Sequence, residues 1–276
     1  MKTRILTSAL IVAIAIPVFL LSGTIVYPIA LALLSVRSVF EMLRVLGCLK
    51  RRAVAIPSYV LAVGLAIGAY FCYGDGKDFF RLCAICVYSY MLYLFLVTVV
   101  SKGAIKFSQI ARAFCAISYV TLAFGALTLS RYIEHGRYYF LIPLICSWVS
   151  DVFAFIVGYF FGKHKLIPEI SPKKTIEGSV GGIVFATVAM LIYGFLIDTF
   201  ADGISVNYIL LLAMGLVLSI LSQAGDLIAS TIKREEGVKD YGSILPGHGG
   251  ITDRFDSVYA IALIALIVCV MIPPFA

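Results

Sequence analysis

The chain has 276 residues, of which 62% are hydrophobic and only 13% charged. A water-soluble domain runs nearer 45–50% apolar and about 25% charged, so a secreted, cytosolic or disordered protein is excluded. The net charge of +7, from 22 Lys+Arg against 15 Asp+Glu, has no polar domain to occupy. That excludes nucleic acid as a partner and leaves a basic membrane face.

Apolar windows of about 20 residues, the length that crosses a bilayer as a helix, fall over 5–21, 25–46, 54–73, 79–100, 110–129, 138–161, 180–197, 206–228 and 258–273. The first follows Lys2 and Arg4 like a signal peptide, but Leu21-Ser22-Gly23 is a poor cleavage site, so it is expected to remain as a span. The alternating ten-residue segments of a membrane barrel are absent. These windows predict an all-α, polytopic membrane bundle of about nine helices. Five spans lie in residues 1–137 and four in 138–276; the second set carries the two longest polar loops. With no repeat or low-complexity linker, the two parts are expected to form one continuous membrane domain.

Charge on the connections sets the orientation. With the N-terminus in the cytoplasm, the inner segments hold fifteen Lys and Arg and the outer ones four. The positive-inside rule therefore predicts a cytoplasmic N-terminus and cytoplasmic loops at 162–179 and 233–257. Of the seven cysteines, Cys83 and Cys86 form a lone C-x-x-C. Without a second pair or a nearby histidine it reads as helix packing rather than a metal site.

Two aspartates stand out against the apolar background. Asp151 lies within the sixth window and Asp226 near the cytoplasmic end of the eighth. An aspartate at the bilayer centre costs at least about 2.5 kcal/mol, so it lines a cavity, binds an ion or meets a partner. For Asp151 a plain helix-to-helix hydrogen bond or ion pair explains the residue equally well. Asp226 has company, because Ser222, Asp226 and Ser230 recur every four residues on one helical face that Lys233 continues.

Beyond that face come Glu235, Glu236, Lys239 and Asp240, then Pro246-Gly247-His248-Gly249-Gly250, then Asp253-Arg254-Phe255-Asp256. Glycines around His248 let backbone amides approach an anion. Asp253 and Asp256, at i and i+3, share the first turn of the last span, with Thr252 as its expected cap. Asp oxygens are hard ligands suited to Mg²⁺, which is held by one or two carboxylates plus substrate phosphates. Lys and Arg clamp phosphate oxygens. A solvated charge cluster would explain Lys233, Arg234 and Lys239, but not the acids beside them or the glycine turn. The loop at 162–179 adds Ser171, Lys173, Lys174 and Thr175, which could meet a lipid phosphate.

The run Ser230, Ile232-Lys233-Arg234, Lys239-Asp240, Gly242, Leu245-Pro246, His248-Gly249-Gly250-Ile251 and Asp253-Arg254-Phe255-Asp256 resembles the signature of the phosphatidate cytidylyltransferases (CDP-diacylglycerol synthases). Gly225-Asp226-Leu227 and the segment from Ser171 to Gly178 are also similar to family motifs, so the resemblance covers about the last 130 residues. Ala229, where a Glu is expected, and Phe155, where a Tyr is common, depart from the pattern.

The resemblance implies a homodimeric enzyme of the cytoplasmic (inner) membrane, its site facing the cytoplasm, that converts CTP and phosphatidate to CDP-diacylglycerol and pyrophosphate. It implies Mg²⁺ on Asp226, Asp253 and Asp256, and allows a second cation such as K⁺. Lys233, Arg234, Lys239, His248 and Arg254 would surround the phosphates, with Ser171, Lys173, Lys174, Thr175, Ser230, Gly249 and Gly250 binding substrate. Two rivals are weighed. A CTP-dependent polyprenol or phytol-type kinase would transfer the γ-phosphoryl group instead, and the Asp-Arg-x-Asp ending speaks against it. A transporter would place its polar set near the midplane, usually with repeats, and neither is found.

Overall fold

The computed structural model describes residues 2–72, 74, 76–247 and 249–275, with side chains from Thr7 onward apart from Ser8. In chain order it comprises α1 (Lys2–Leu20), α2 (Val26–Val45), α3 (Arg52–Phe71), α4 (Lys77–Val100), α5 (Phe107–Tyr132), the short α6 (Gly136–Tyr139) and α7 (Ile142–Phe161). A hairpin of β1 (Lys165–Ile167) and β2 (Ser171–Thr175) follows, then α8 (Ile176–Phe200), α9 (Tyr208–Glu235) and α10 (Thr252–Met271). Among the described residues eight helical segments are long and apolar enough to span a bilayer, α6 and α7 counting together as Gly136–Phe161. The first expected span is α1, whose described apolar stretch, Ala9–Leu20, is shorter than a full crossing. Large apolar side chains such as Val100, Phe155, Tyr159 and Ile209 stand exposed on these helices, a surface that suits lipid and not water.

The helices outrun their apolar windows where polar residues extend them. Helix α9 continues past residue 228 to Glu235, ending on Lys233 and Arg234, cations that favour the negative end of the helix dipole. Helix α8 starts at Ile176, ahead of the window at 180, because the Thr175 hydroxyl accepts the N–H of Gly178 at 3.1 Å as an N-cap. The segment 162–179, expected as a loop, contains the β1–β2 hairpin, with Lys165 opposite Thr175 and Ile167 opposite Ser171. Strands this short leave no trace in hydropathy.

The chain divides into two compact units. The first comprises Met1–Arg137 and Glu235–Phe255. Helix α5 is its hub, with 78% of its membrane window buried against 11% for α4, and it packs on α2, α3 and α4. Ile117, Val120, Phe124 and Leu127 fill the interior. At one end of α5, Arg131 Nε donates to Ser22 Oγ at 2.9 Å and the Tyr132 hydroxyl donates to Thr24 O at 2.7 Å. These bonds fix the turn between α1 and α2.

The second unit comprises Tyr138–Arg234 and Asp256–Ala276. Here α7 and α8 pack backbone to backbone through glycines. A Cβ on Gly178 would lie 2.5 Å from Ala154 O, and one on Gly182 only 2.7 Å from Ser150 O. Small residues at such a contact are how membrane helices associate without a hydrophobic drive. Gln223 of α9 ties this pair together, donating from Nε2 to Ser150 Oγ at 3.1 Å and to Ser179 O at 3.0 Å.

Candidate active site

In the second unit, three helices contribute one aspartate each: Asp151 from α7, Asp226 from α9 and Asp256 from α10. The charges of Asp226, Asp151 and Lys233 all act on the buried Asp256 carboxylate. Ser257 orders this group, its hydroxyl donating to Asp151 Oδ2 at 2.9 Å and its N–H to Asp256 Oδ1 at 3.0 Å. Lys174 of β2 pairs with Asp226, and Arg234 Nε donates to Ile170 O at 3.3 Å. The hairpin is thus fastened to α9 at two points, through a lysine and an arginine that the sequence had marked as phosphate ligands.

Others of the marked residues have local duties in this unit. Ser230 is buried on α9. Ser171 opens β2, Lys173 is exposed on it, and Thr175 spends its hydroxyl as the α8 cap. Glu177 accepts from the backbone N–H of Lys163 at 3.1 Å and contacts His164 Nδ1 at 2.6 Å, which closes the base of the hairpin.

In the first unit, the described residues 241–247 and 249–252 fold tightly around the head of α10. Asp253 is buried, and its Oδ2 accepts the N–H groups of Tyr241 at 2.8 Å and Gly250 at 2.9 Å. Gly247 and Gly249 both have φ of +80°, a conformation that costs other residues energy. At Gly249 a Cβ would also lie 2.8 Å from Asp253 Oδ2. Leu245 N donates to Gly249 O at 3.0 Å, which closes the turn on itself. His248 lies outside the described residues. Lys239 and Arg254 are exposed.

Sequence reasoning missed the floor of this loop. Glu41 of α2 is fully buried and accepts the N–H of Ile251 at 3.2 Å on Oε1 and of Thr252 at 2.9 Å on Oε2. Arg44 donates to Tyr241 O at 2.5 Å. Thr252, the expected cap, is instead the first residue of α10, and its hydroxyl contacts Ser38 O at 3.5 Å. The cap is Glu41. The only hint in the sequence is a lone acid inside an apolar window, because its partners lie 210 and 211 positions away.

The donor chemistry fits a hard divalent cation. Asp226 and Asp256 stand in one charged group with Asp151, and Lys174 and Lys233 offset part of the negative charge. Among the described residues no three His, Cys, Asp or Glu side chains could enclose a metal by themselves. Mg²⁺ takes one or two carboxylates and fills its shell with water and substrate phosphates, a demand that Asp226 and Asp256 would meet.

Comparison with known proteins gives one consistent result. Residues 2–272 match the Cytidylyltransferase family. The chain is 35% identical over 264 residues to the phosphatidate cytidylyltransferase of Staphylococcus haemolyticus (strain JCSC1435), covering 93% of this chain and 94% of that one. It is likewise 35% identical over 260 residues to the phosphatidate cytidylyltransferase of Staphylococcus aureus (strain COL), with coverage of 93% and 94%.

Proposed function

The chain belongs to the cytidylyltransferase family, and from that premise we propose that it transfers the cytidylyl group of CTP to phosphatidate, giving CDP-diacylglycerol and pyrophosphate. A P–O bond forms between a phosphate oxygen of phosphatidate and the α-phosphorus of CTP. The bond from that phosphorus to the leaving pyrophosphate breaks. The attacking oxygen is already anionic near pH 7, so no strong general base is needed. The obstacle is bringing two polyanions together, a task of positioning and charge neutralisation.

This chain's residues suit that task. Lys233, Arg234, Lys239, His248 and Arg254 hold the CTP phosphates and the departing pyrophosphate. Ser171, Lys173, Lys174 and Thr175 meet the phosphatidate headgroup, Gly249 offers a backbone amide, Gly250, whose N–H is held by Asp253, shapes the turn against the phosphates, and Ser230 lines the approach. Asp226, Asp253 and Asp256 would hold Mg²⁺, which supplies Lewis-acid neutralisation of phosphate charge when bound. The observation that carries the reading is the second unit's pairing of acid and base: Lys174 on Asp226, with the Lys233 charge acting on Asp256. Such a group serves a metal and a phosphate together.

The site faces the cytoplasm of the inner membrane, where CTP is found, in keeping with the fifteen-to-four distribution of cations. A homodimer, and a monovalent ion such as K⁺ beside Mg²⁺, rest on the family resemblance alone. The test is direct. Detergent-purified protein given CTP, phosphatidate and Mg²⁺ is expected to form a lipid whose mass has increased by a cytidylyl group. Product formation should stop when either phosphatidate or Mg²⁺ is omitted, and no such lipid in the complete mixture would refute the reading.

A further inference from the structure

Helix α2 carries no residue assigned to the reaction, yet its buried face holds the loop that bears Asp253. Glu41 is the key to that contact. A carboxylate buried in a membrane-spanning helix is costly unless it is paired and hydrogen-bonded. This one is both. Arg37 Nε lies 3.2 Å from Oε1, and the Arg37 guanidinium rests over the Phe40 ring, 4.7 Å from its centroid. The two amides that Glu41 accepts, from Ile251 and Thr252, belong to the unpaired donors that every helix start presents. An anion there is favoured by the helix dipole.

A local residue could cap α10 just as well if stability were the only need. The cap instead reaches across from α2, and the loop is shaped to receive it. A Cβ on Gly242 or on Gly250 would collide with the Glu41 carboxylate, and one on Gly242 would also lie 2.8 Å from the Gly250 Cα, so Glu41 requires glycine at 250 and, together with the Gly250 backbone, at 242. Gly250 faces two ways: its Cα side meets Glu41, while its N–H reaches Asp253. Fixing the backbone at 250–252 therefore fixes how Asp253 and the Gly249–Gly250 amides point. Arg37 offsets the carboxylate's charge, so this anchor adds little repulsion toward an incoming phosphate.

We infer that Glu41, braced by Arg37, is a positioning residue for the reaction, holding the Tyr241–Thr252 loop and the first turn of α10 in the orientation that phosphate binding and Asp253 require. This rests on the cytidylyltransferase reading for its functional meaning, but not for its structural one. The variant Glu41→Gln keeps the size and loses the charge, and because the two amides go to different oxygens, its remaining oxygen keeps only one of them in the observed arrangement.

In full-length protein in detergent, Glu41→Gln is expected to speed amide hydrogen exchange across 241–252 about tenfold or more, the scale of one lost charge-assisted hydrogen bond. Exchange in α5 and α8 should not change. Turnover number should fall about 10–100-fold while KM for phosphatidate stays within about threefold, the signature of misplaced groups rather than lost binding. Should Glu41→Gln not fold, Gly242→Ala asks the same question by pushing the carboxylate aside. It should give the same pattern, and combining it with Glu41→Ala should cost less than the two separate losses together.

Wild-type exchange and turnover in either folded variant would overturn the inference. So would faster exchange spread evenly through the whole chain with turnover per folded molecule unchanged. If the wild-type protein makes no nucleotide-bearing lipid, the reading of the reaction fails, and the exchange data still decide whether Glu41 anchors the loop.

Discussion

Asp256→Asn protein is expected to turn over at least about 10²–10³-fold more slowly than wild type, the usual loss when electrostatic stabilisation of the transition state is weakened, here through the metal that Asp256 would hold. Its yield and thermal midpoint should stay close to wild type. Both expectations follow from the surroundings of Asp256. The side chain is buried within electrostatic reach of Asp226, Asp151 and Lys233, where under the proposed reaction the carboxylates would attract a cation. Asn has the same shape and can still accept the N–H of Ser257 through its oxygen. Replacing one of three neighbouring carboxylates removes a source of repulsion in the fold and would weaken cation binding. Initial rates over a range of Mg²⁺ concentrations, with a thermal melt on the same sample, check both halves. Full activity in the folded variant would remove Asp256 from the assignment.

The second large effect is at Asp253, where two substitutions separate charge from architecture. Asp253→Asn keeps an oxygen that can sit where Oδ2 receives Tyr241 N and Gly250 N. It should lose about 10²-fold or more in turnover with the loop still protected from exchange. Asp253→Ala leaves both amides without that acceptor, at about 1–3 kcal/mol for each one left buried and unsatisfied. It should therefore show the same loss of turnover and, in addition, fast exchange at 241–252 and a lower thermal midpoint. If Asp253→Asn kept both turnover and loop protection while Asp253→Ala lost both, Asp253 would be a loop fastener and nothing more.

Much of the fold could be read from the chain because the bilayer imposes its own length on apolar helices. Eight of the expected windows coincide with helices long enough to cross it. Departures occur where local polar chemistry decides. The Thr175 cap moves the start of α8 forward, basic residues extend α9, and the β1–β2 hairpin forms from a segment with no apolar pattern.

The candidate site was legible to the extent that its residues are close in sequence. Asp226, Lys233 and the run from Lys239 to Asp256 form a recognisable string. What the string conceals is the distribution of labour within it. Asp256 joins Asp226 and Asp151 in the second unit, whereas Asp253 ties down a loop in the first. Asp151, ambiguous in the sequence, gains a role through Ser257 and its influence on Asp256. Glu41 was invisible because a single acid between Phe40 and Met42 carries no periodic or motif signal. Only folding brings it to the amides it caps.

The most direct test follows the phosphorus atoms of CTP. Two reactions are run with purified protein, phosphatidate and Mg²⁺, one with CTP labelled on the α-phosphate and one with CTP labelled on the γ-phosphate. Nucleotidyl transfer puts the α-label into the lipid fraction and the γ-label into pyrophosphate. A γ-label that appears in lipid, with the α-label remaining in free nucleotide, would make the protein a lipid kinase and contradict the account.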